Sequence, residues 1–226
     1  MRTYEVVEVA RCVVRVLRDS ERTEDIHRIA EITGADLFTR LADAGRRGIA
    51  GRGADYDALL RERPEIDGEH VDFAALRRLP ADTLGGAYVA HLDRYGLDVY
   101  VTATPDEFIK DADARYLLHR FRQTHDIWHA LLGLGVQGHE EVLVHAFSFG
   151  QLRLPVSALI MGFGAIKHFV LERRWPALRR AIRAAYASGR DAAPLLPVRW
   201  EAQWEAPIEA IRGRYRITPA APAWGL

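Results

Sequence analysis

From Asp111 to Gln151 the apolar residues recur at three- and four-residue spacing, and the pattern is interrupted once, by Gly133, Gly135 and Gly138. That rhythm predicts a helix from Asp111 to Leu132, a reversal, and a returning helix over about 140–151. Helical periodicity dominates the rest of the chain and strand alternation is scarce. The expected fold class is therefore all-α, a single-domain helical bundle over residues 1–226. Further helices are expected over 4–18, with Val6, Val9, Val13, Val16 and Leu17 on one side, and over 24–45. Shorter ones follow at 55–63 and 72–78, and another runs from Pro80 to Tyr95, stopped by Gly96. Trp175-Pro176 opens a helix ending at Ser188-Gly189, and 198–212 forms the last. The stretch from Gly45 to Gly53 reads as a loop. Thr104-Pro105-Asp106-Glu107 reads as a capping box with proline at the first helical position.

The central helix pair carries the chemistry. His125 and His129 stand one helical turn apart, about 6 Å along the axis. Asp126 lies on the adjoining face, and Glu141 follows His129 after eleven residues, at the start of the returning helix. Two imidazoles with one or two carboxylates make a mixed nitrogen and oxygen set suited to zinc, iron or manganese. A plainer account exists. A histidine pair arises easily in a chain with nine histidines, and Arg122, four residues before Asp126, could be its helix partner. The glycine-bearing turn weighs against that account, because it brings Glu141 back toward the histidines without distant chain closure. His145, one turn beyond Glu141, is either a supporting partner or proton carrier, or a partly buried helix histidine. Glu140 points about 100° away from Glu141 and is expected to face solvent. His119 is expected to be structural, and His27, His70, His91, His139 and His168 show no convergent spacing.

Lys plus Arg equals Asp plus Glu at 31 each, so net charge gives no argument for a nucleic-acid partner. The lone Cys12 cannot form an internal disulfide and reads as a small core residue in a reducing compartment. Glu5, Glu8, Arg11 and Arg15 break any apolar signal core in the first twenty residues. Residues 154–171 are the longest apolar stretch, but Pro155, Gly162, Gly164, Lys167 and His168 make them a buried or lipid-facing helix rather than a span. Phe147, Phe149, Met161, Phe163 and Phe169 beside the small Ala158, Gly162, Gly164 and Ala165 fit either an ordinary core or an apolar slot for a lipid tail.

With these residues in place, the chain resembles the ubiquinone (coenzyme Q) biosynthesis protein 4 family, in its bacterial form. The signature His-Asp-x-x-His, eleven residues, Glu is matched at His125, Asp126, His129 and Glu141. The likeness extends to 116–122, to Phe147 and Gln151, and to the closing segment 195–201, which ends Arg199-Trp200-Glu201. It is looser at 59–64 and 85–88. The resemblance implies an all-α fold and a divalent metal, usually described as zinc; iron or manganese stay open from the ligand chemistry alone. It also implies a polyprenyl lipid ligand and a part in oxidative removal of the ring C1 carboxylate. The implied partners are a prenylated aromatic substrate, a membrane surface, other quinone-biosynthesis enzymes and, as one option, a second copy of the chain. The implied location is cytoplasmic, peripheral on the inner face of a bacterial membrane.

Two functions follow. In the first, the chain is a metal-dependent oxidative decarboxylase of a prenylated 4-hydroxybenzoate-type ring. His125, Asp126, His129 and Glu141 would hold the metal, and Asp126 and Glu141 would serve the chemistry. In the second, it is a non-catalytic lipid-binding scaffold with a structural metal, its four protein ligands closing the coordination sphere. A metal phosphohydrolase suggested by His125-Asp126 alone ranks last, because His119 and Asp191 are poor further ligands.

Overall fold

The structure is a computed structural model describing residues 2–19, 22–49, 56–99, 107–171 and 175–220, with 164–171 and 175 described by their backbone alone. It is all-α: no strand occurs among the described residues, and the elements are helices in chain order. They are α1 (Thr3–Arg18), α2 (Thr23–Arg46), α3 (Tyr56–Glu62), α4 (Phe73–Leu76), α5 (Leu84–Tyr95), α6 (Ala112–Gln123), α7 (His125–Leu132), α8 (Gly138–Leu152), α9 (Pro155–Leu171), α10 (Trp175–Asp191) and α11 (Ile208–Tyr215). A 3₁₀ turn covers Trp200–Ala202.

Local chemistry sets most boundaries. The Asp111 carboxylate accepts from the Ala114 N–H at 2.9 Å and starts α6. Thr83 accepts from the Gly86 N–H at 3.1 Å and starts α5, which ends at Gly96 with φ 63°. Pro80 does not open α5 as expected; its carbonyl is taken by the Thr83 N–H and hydroxyl in a preceding turn. The helix expected from Asp111 to Leu132 is two helices, parted at Thr124, whose hydroxyl bonds back to the Arg120 carbonyl at 2.9 Å. The helix expected over 198–212 is also divided. Backbone groups there pair across the chain instead: Gly85 N–H to the Trp204 carbonyl, Leu84 N–H to that of Ala206, and Ile208 N–H to that of Asp82. Residues 104–106 of the expected capping box, and 50–53 of the expected loop, lie outside the described residues.

Helix α8 is the hub, lying against α10 and α9, while α2 packs on α1, α3, α6 and α9, and α5 packs on α7. The α8–α10 crossing is a close backbone approach. A Cβ at Gly189 would sit 2.1 Å from the Phe147 carbonyl oxygen, and one at Gly150 would sit 2.5 Å from that of Tyr186. Gly189 is therefore a packing residue inside α10, not the helix stop expected for it. One cluster of buried side chains runs from Cys12 to Ala220, with Trp128, Trp200, Phe38 and Phe147 among its largest members. Two buried arginines tie α6 into it. Arg120 reaches Glu201 and the Val198 carbonyl, and Arg122 reaches Glu31 of α2 at 3.0 Å. Helix α1 departs from the expected face: Val9, Val13 and Cys12 turn inward, while Val6 and Leu17 remain exposed. Burial pushes the Cys12 thiol up to about 11, so it is a core residue and a poor nucleophile.

Candidate metal centre

The α7–α8 turn is built so that two helix faces meet. Helix α7 ends at Gly133, whose φ of 68° only glycine adopts freely, and α8 starts at Gly138 behind a reciprocal cap between Gln137 and Glu140. The Nε2 atoms of His125 and His129 come within 3.2 Å of each other. The Glu141 carboxylate reaches over both, with Oε2 3.5 Å from His125 Nε2 and Oε1 3.4 Å from His129 Nε2. His125, His129 and Glu141 thus form a group able to hold a metal ion. Asp126, expected as a fourth member, is not in that group.

The donor set fits a small cation. Nitrogen and oxygen ligands at about 2.0–2.1 Å from a tetrahedral ion lie about 3.3–3.4 Å from one another, which is the spacing found here. The tautomer fits as well. His129 Nδ1 faces the Gly135 carbonyl at 3.0 Å, and a carbonyl only accepts, so Nδ1 donates. A neutral His129 must then present its Nε2 lone pair toward His125 and Glu141, the arrangement a ligating histidine needs. His129 is fully buried, while Glu141 keeps a third of its side chain exposed, so the group opens on the carboxylate side.

Burial and neighbouring charge set the protonation around it. Burial alone would lower the His125 pKa; the Glu141 carboxylate more than offsets this and raises it. Burial alone would raise Glu141, yet the adjacent His125 and His129 hold it well below the usual carboxylate range. Asp126 is pushed up by burial, partly countered by His125 and His129.

Other side chains surround the triad. The His145 ring lies 5.4 Å from that of His125, and its Nδ1 meets Ser157 Oγ of α9 at 3.3 Å. The His91 ring of α5 lies 5.3 Å from that of His129. Burial pushes His145 down to about 3 and His91 to about 4, so both are neutral imidazoles at pH 7. His91 was passed over in the sequence because α5 and α7 have no shared register; only their packing brings the rings together. Glu140 is half-buried rather than fully solvent-facing, and it accepts from the turn's backbone, with Oε1 2.8 Å from Gly135 N. Arg122, the suggested partner of Asp126, donates to Glu31 and to the His27 carbonyl. His119 pairs with Glu65 at 3.2 Å, in keeping with a structural role.

Fold and site together define a class: an all-helical protein with a mixed imidazole and carboxylate group on a glycine-bearing helix turn. The family model described as coenzyme Q (ubiquinone) biosynthesis protein Coq4 matches residues 4–221, and the chain belongs to that family. Among its relatives, a mitochondrial ubiquinone biosynthesis protein COQ4 of Pyricularia oryzae is 34% identical over 209 residues, covering 90% of this chain and 65% of the relative. The Bos taurus homologue, also named mitochondrial, is 32% identical over 204 residues, covering 89% of this chain and 74% of the relative. The chain thus spans 65–74% of the length of these two relatives. A Nostoc punctiforme protein solved by crystallography and named for ubiquinone biosynthesis shares the fold. Its TM-score is 0.72 at 21% identity, over 92% of this chain and 96% of that one.

Proposed function

We propose that the chain, as one helical domain, takes part in ubiquinone synthesis by removing the C1 carboxylate from a prenylated 4-hydroxybenzoate-type ring and leaving oxygen in its place. The observation that carries this reading is the convergence of His125, His129 and Glu141 at 3.2–3.5 Å, with the His129 lone pair turned inward by Gly135. A divalent ion held there, zinc or alternatively iron or manganese, would supply Lewis-acid pull on a substrate oxygen, and iron could also exchange electrons.

The chain's own residues do the rest. His129 is locked by burial and its backbone bond, so it holds position as the ring binds. Glu141 keeps a third of its side chain exposed, on the side from which a carboxylate or phenol would enter, and Asp126, raised by burial, is the group assigned to hold or move a proton at its Oδ atoms. With a para hydroxyl on the ring, one dioxygen balances the change: the ring becomes a quinone, and carbon dioxide and water leave. Dioxygen is the oxidant and no added reductant is needed.

A membrane surface is the proposed place of work, on the inner face of a bacterial membrane beside other quinone-biosynthesis enzymes. No helix among the described residues is long and apolar enough to cross a membrane. Of six large apolar side chains left exposed among the described residues, Tyr4, Val6, Val7, Val14 and Leu17 all lie on α1, next to the exposed Arg11 and Arg18. Helix α9 supports a place for the tail, since Leu159, Ile160, Met161 and Phe163 are only half-buried. A tail bound there would orient the ring and supply part of the rate.

The direct test is carbon dioxide release from carboxyl-labelled substrate by purified, metal-loaded protein. Failure to release it, with quinone synthesis still restored in cells lacking the family member, would replace this reading with the lipid-binding scaffold. Failure in both would remove the pathway assignment.

A further inference from the structure

We infer that Glu140 is a positioning residue for the metal centre: its carboxylate fixes the Gly135 backbone, and Gly135 fixes His129. The inference rests on the metal reading of the preceding section and concerns a side chain outside the triad.

Glu140 neighbours Glu141 but serves the opposite side of the turn. Its Oε2 accepts from the Gln137 N–H at 3.0 Å, and its Oε1 accepts from the Gly135 N–H at 2.8 Å. On the far side of the same Cα, the Gly135 carbonyl accepts from His129 Nδ1 at 3.0 Å. Gly135 is therefore held at both ends, by a carboxylate on α8 and by the imidazole it orients on α7. Glycine leaves room for this closure, and any larger residue would displace the side chains that make it. A Cβ there would lie 2.4 Å from Tyr95 Oη and 2.7 Å from Glu140 Oε2.

The bond to Gly135 separates this role from ordinary helix capping. A capping box needs only the bond from Glu140 back to the Gln137 N–H. The second carboxylate oxygen is directed one residue pair further, onto the backbone unit that governs His129. That ring is fully buried. If its Nδ1 acceptor moves, the ring can turn or change tautomer, and an N–H would then face Glu141 and His125 where a lone pair is required. Removing the Glu140 carboxylate leaves two turn N–H groups without their acceptor and frees Gly135 to shift.

The experiment titrates the metal-free protein with Zn²⁺ and with Co²⁺ against a chromogenic chelator, and records the visible absorption of the cobalt form. Glu140→Ala should weaken binding about 10–100-fold, the usual cost of losing a partner behind a ligating histidine. It should also alter the cobalt spectrum. Glu140→Gln keeps an amide oxygen for the Gly135 N–H and should recover most of both. Asp72→Ala, which removes the side-chain cap of α4 away from the site, should leave affinity and spectrum unchanged. Gly135→Ala, with Glu140 intact, should reproduce the loss if Glu140→Ala proves too unstable to purify. Wild-type affinity and spectrum in folded Glu140→Ala would overturn the inference and leave Glu140 a helix cap. No binding by the wild-type chain would overturn the metal reading itself, so the two failures are distinct.

Discussion

Replacing Arg120 with methionine should destabilise the fold strongly, and replacing its partner as well should return much of the loss. Arg120 has no exposed side-chain surface. It bonds both oxygens of Glu201, the Val198 carbonyl at 3.0 Å and the Pro64 carbonyl at 3.3 Å, so one guanidinium joins α6 to two distant segments. Methionine fills similar space but leaves Glu201, only 22% exposed, and the Val198 carbonyl without the guanidinium, while the Pro64 carbonyl keeps the Tyr116 hydroxyl at 3.0 Å. Breaking one side of such a pair costs about 3–5 kcal/mol. For a chain of this length that is a fall in Tm of roughly 6–20 °C, at about 2–4 °C per kcal/mol. The double variant Arg120→Met/Glu201→Leu removes both charges, so most of the unpaired-carboxylate cost disappears with it. Urea unfolding followed by far-ultraviolet circular dichroism gives both numbers. A loss below about 1 kcal/mol in the single variant, or a double variant no more stable than the single, would refute the reasoning.

His129→Ala should abolish stoichiometric metal binding; equal metal content in wild type and variant, with tag-bound metal excluded, would remove the proposed centre. Gly162→Trp should weaken binding of a prenylated ligand while the chain stays helical, because a Cβ at 162 meets nothing within 4 Å among the described residues. Unchanged ligand affinity would take α9 out of the binding surface. Acid should loosen α1 from α2 through Asp25, whose carboxyl is held below its usual range first by Arg15 and further by Arg22, against the opposing effect of burial. Its folded pKa is depressed, so the stabilisation is complete above the unfolded value of about 3.9 and is lost progressively as pH falls from there toward the folded value. Hydrogen exchange of α1 should quicken below about pH 4 in the wild type, and Asp25→Asn should lose that pH dependence.

The contrast between what the sequence shows and what it hides follows the range of the forces involved. Spacing of three and four residues exposed the helices, and capping at Asp111, Gly96 and Gly133 marked their ends, because these are contacts between near neighbours in the chain. The triad was legible for the same reason: one helical turn separates His125 from His129, and a short turn returns Glu141. The divided C-terminal helix was not, since the groups that interrupt it belong to residues 82–85, more than a hundred positions away. His91 was hidden likewise, since its approach to His129 depends on how α5 packs on α7. Glu140 is the instructive case. Periodicity correctly turned it away from Glu141, yet that direction leads only partly to water. It leads into the concave side of the reversal, where N–H groups at the end of α7 and the start of α8 need acceptors. A carboxylate pointing away from a metal site can therefore still act on it, through the backbone that the ligand itself leans on.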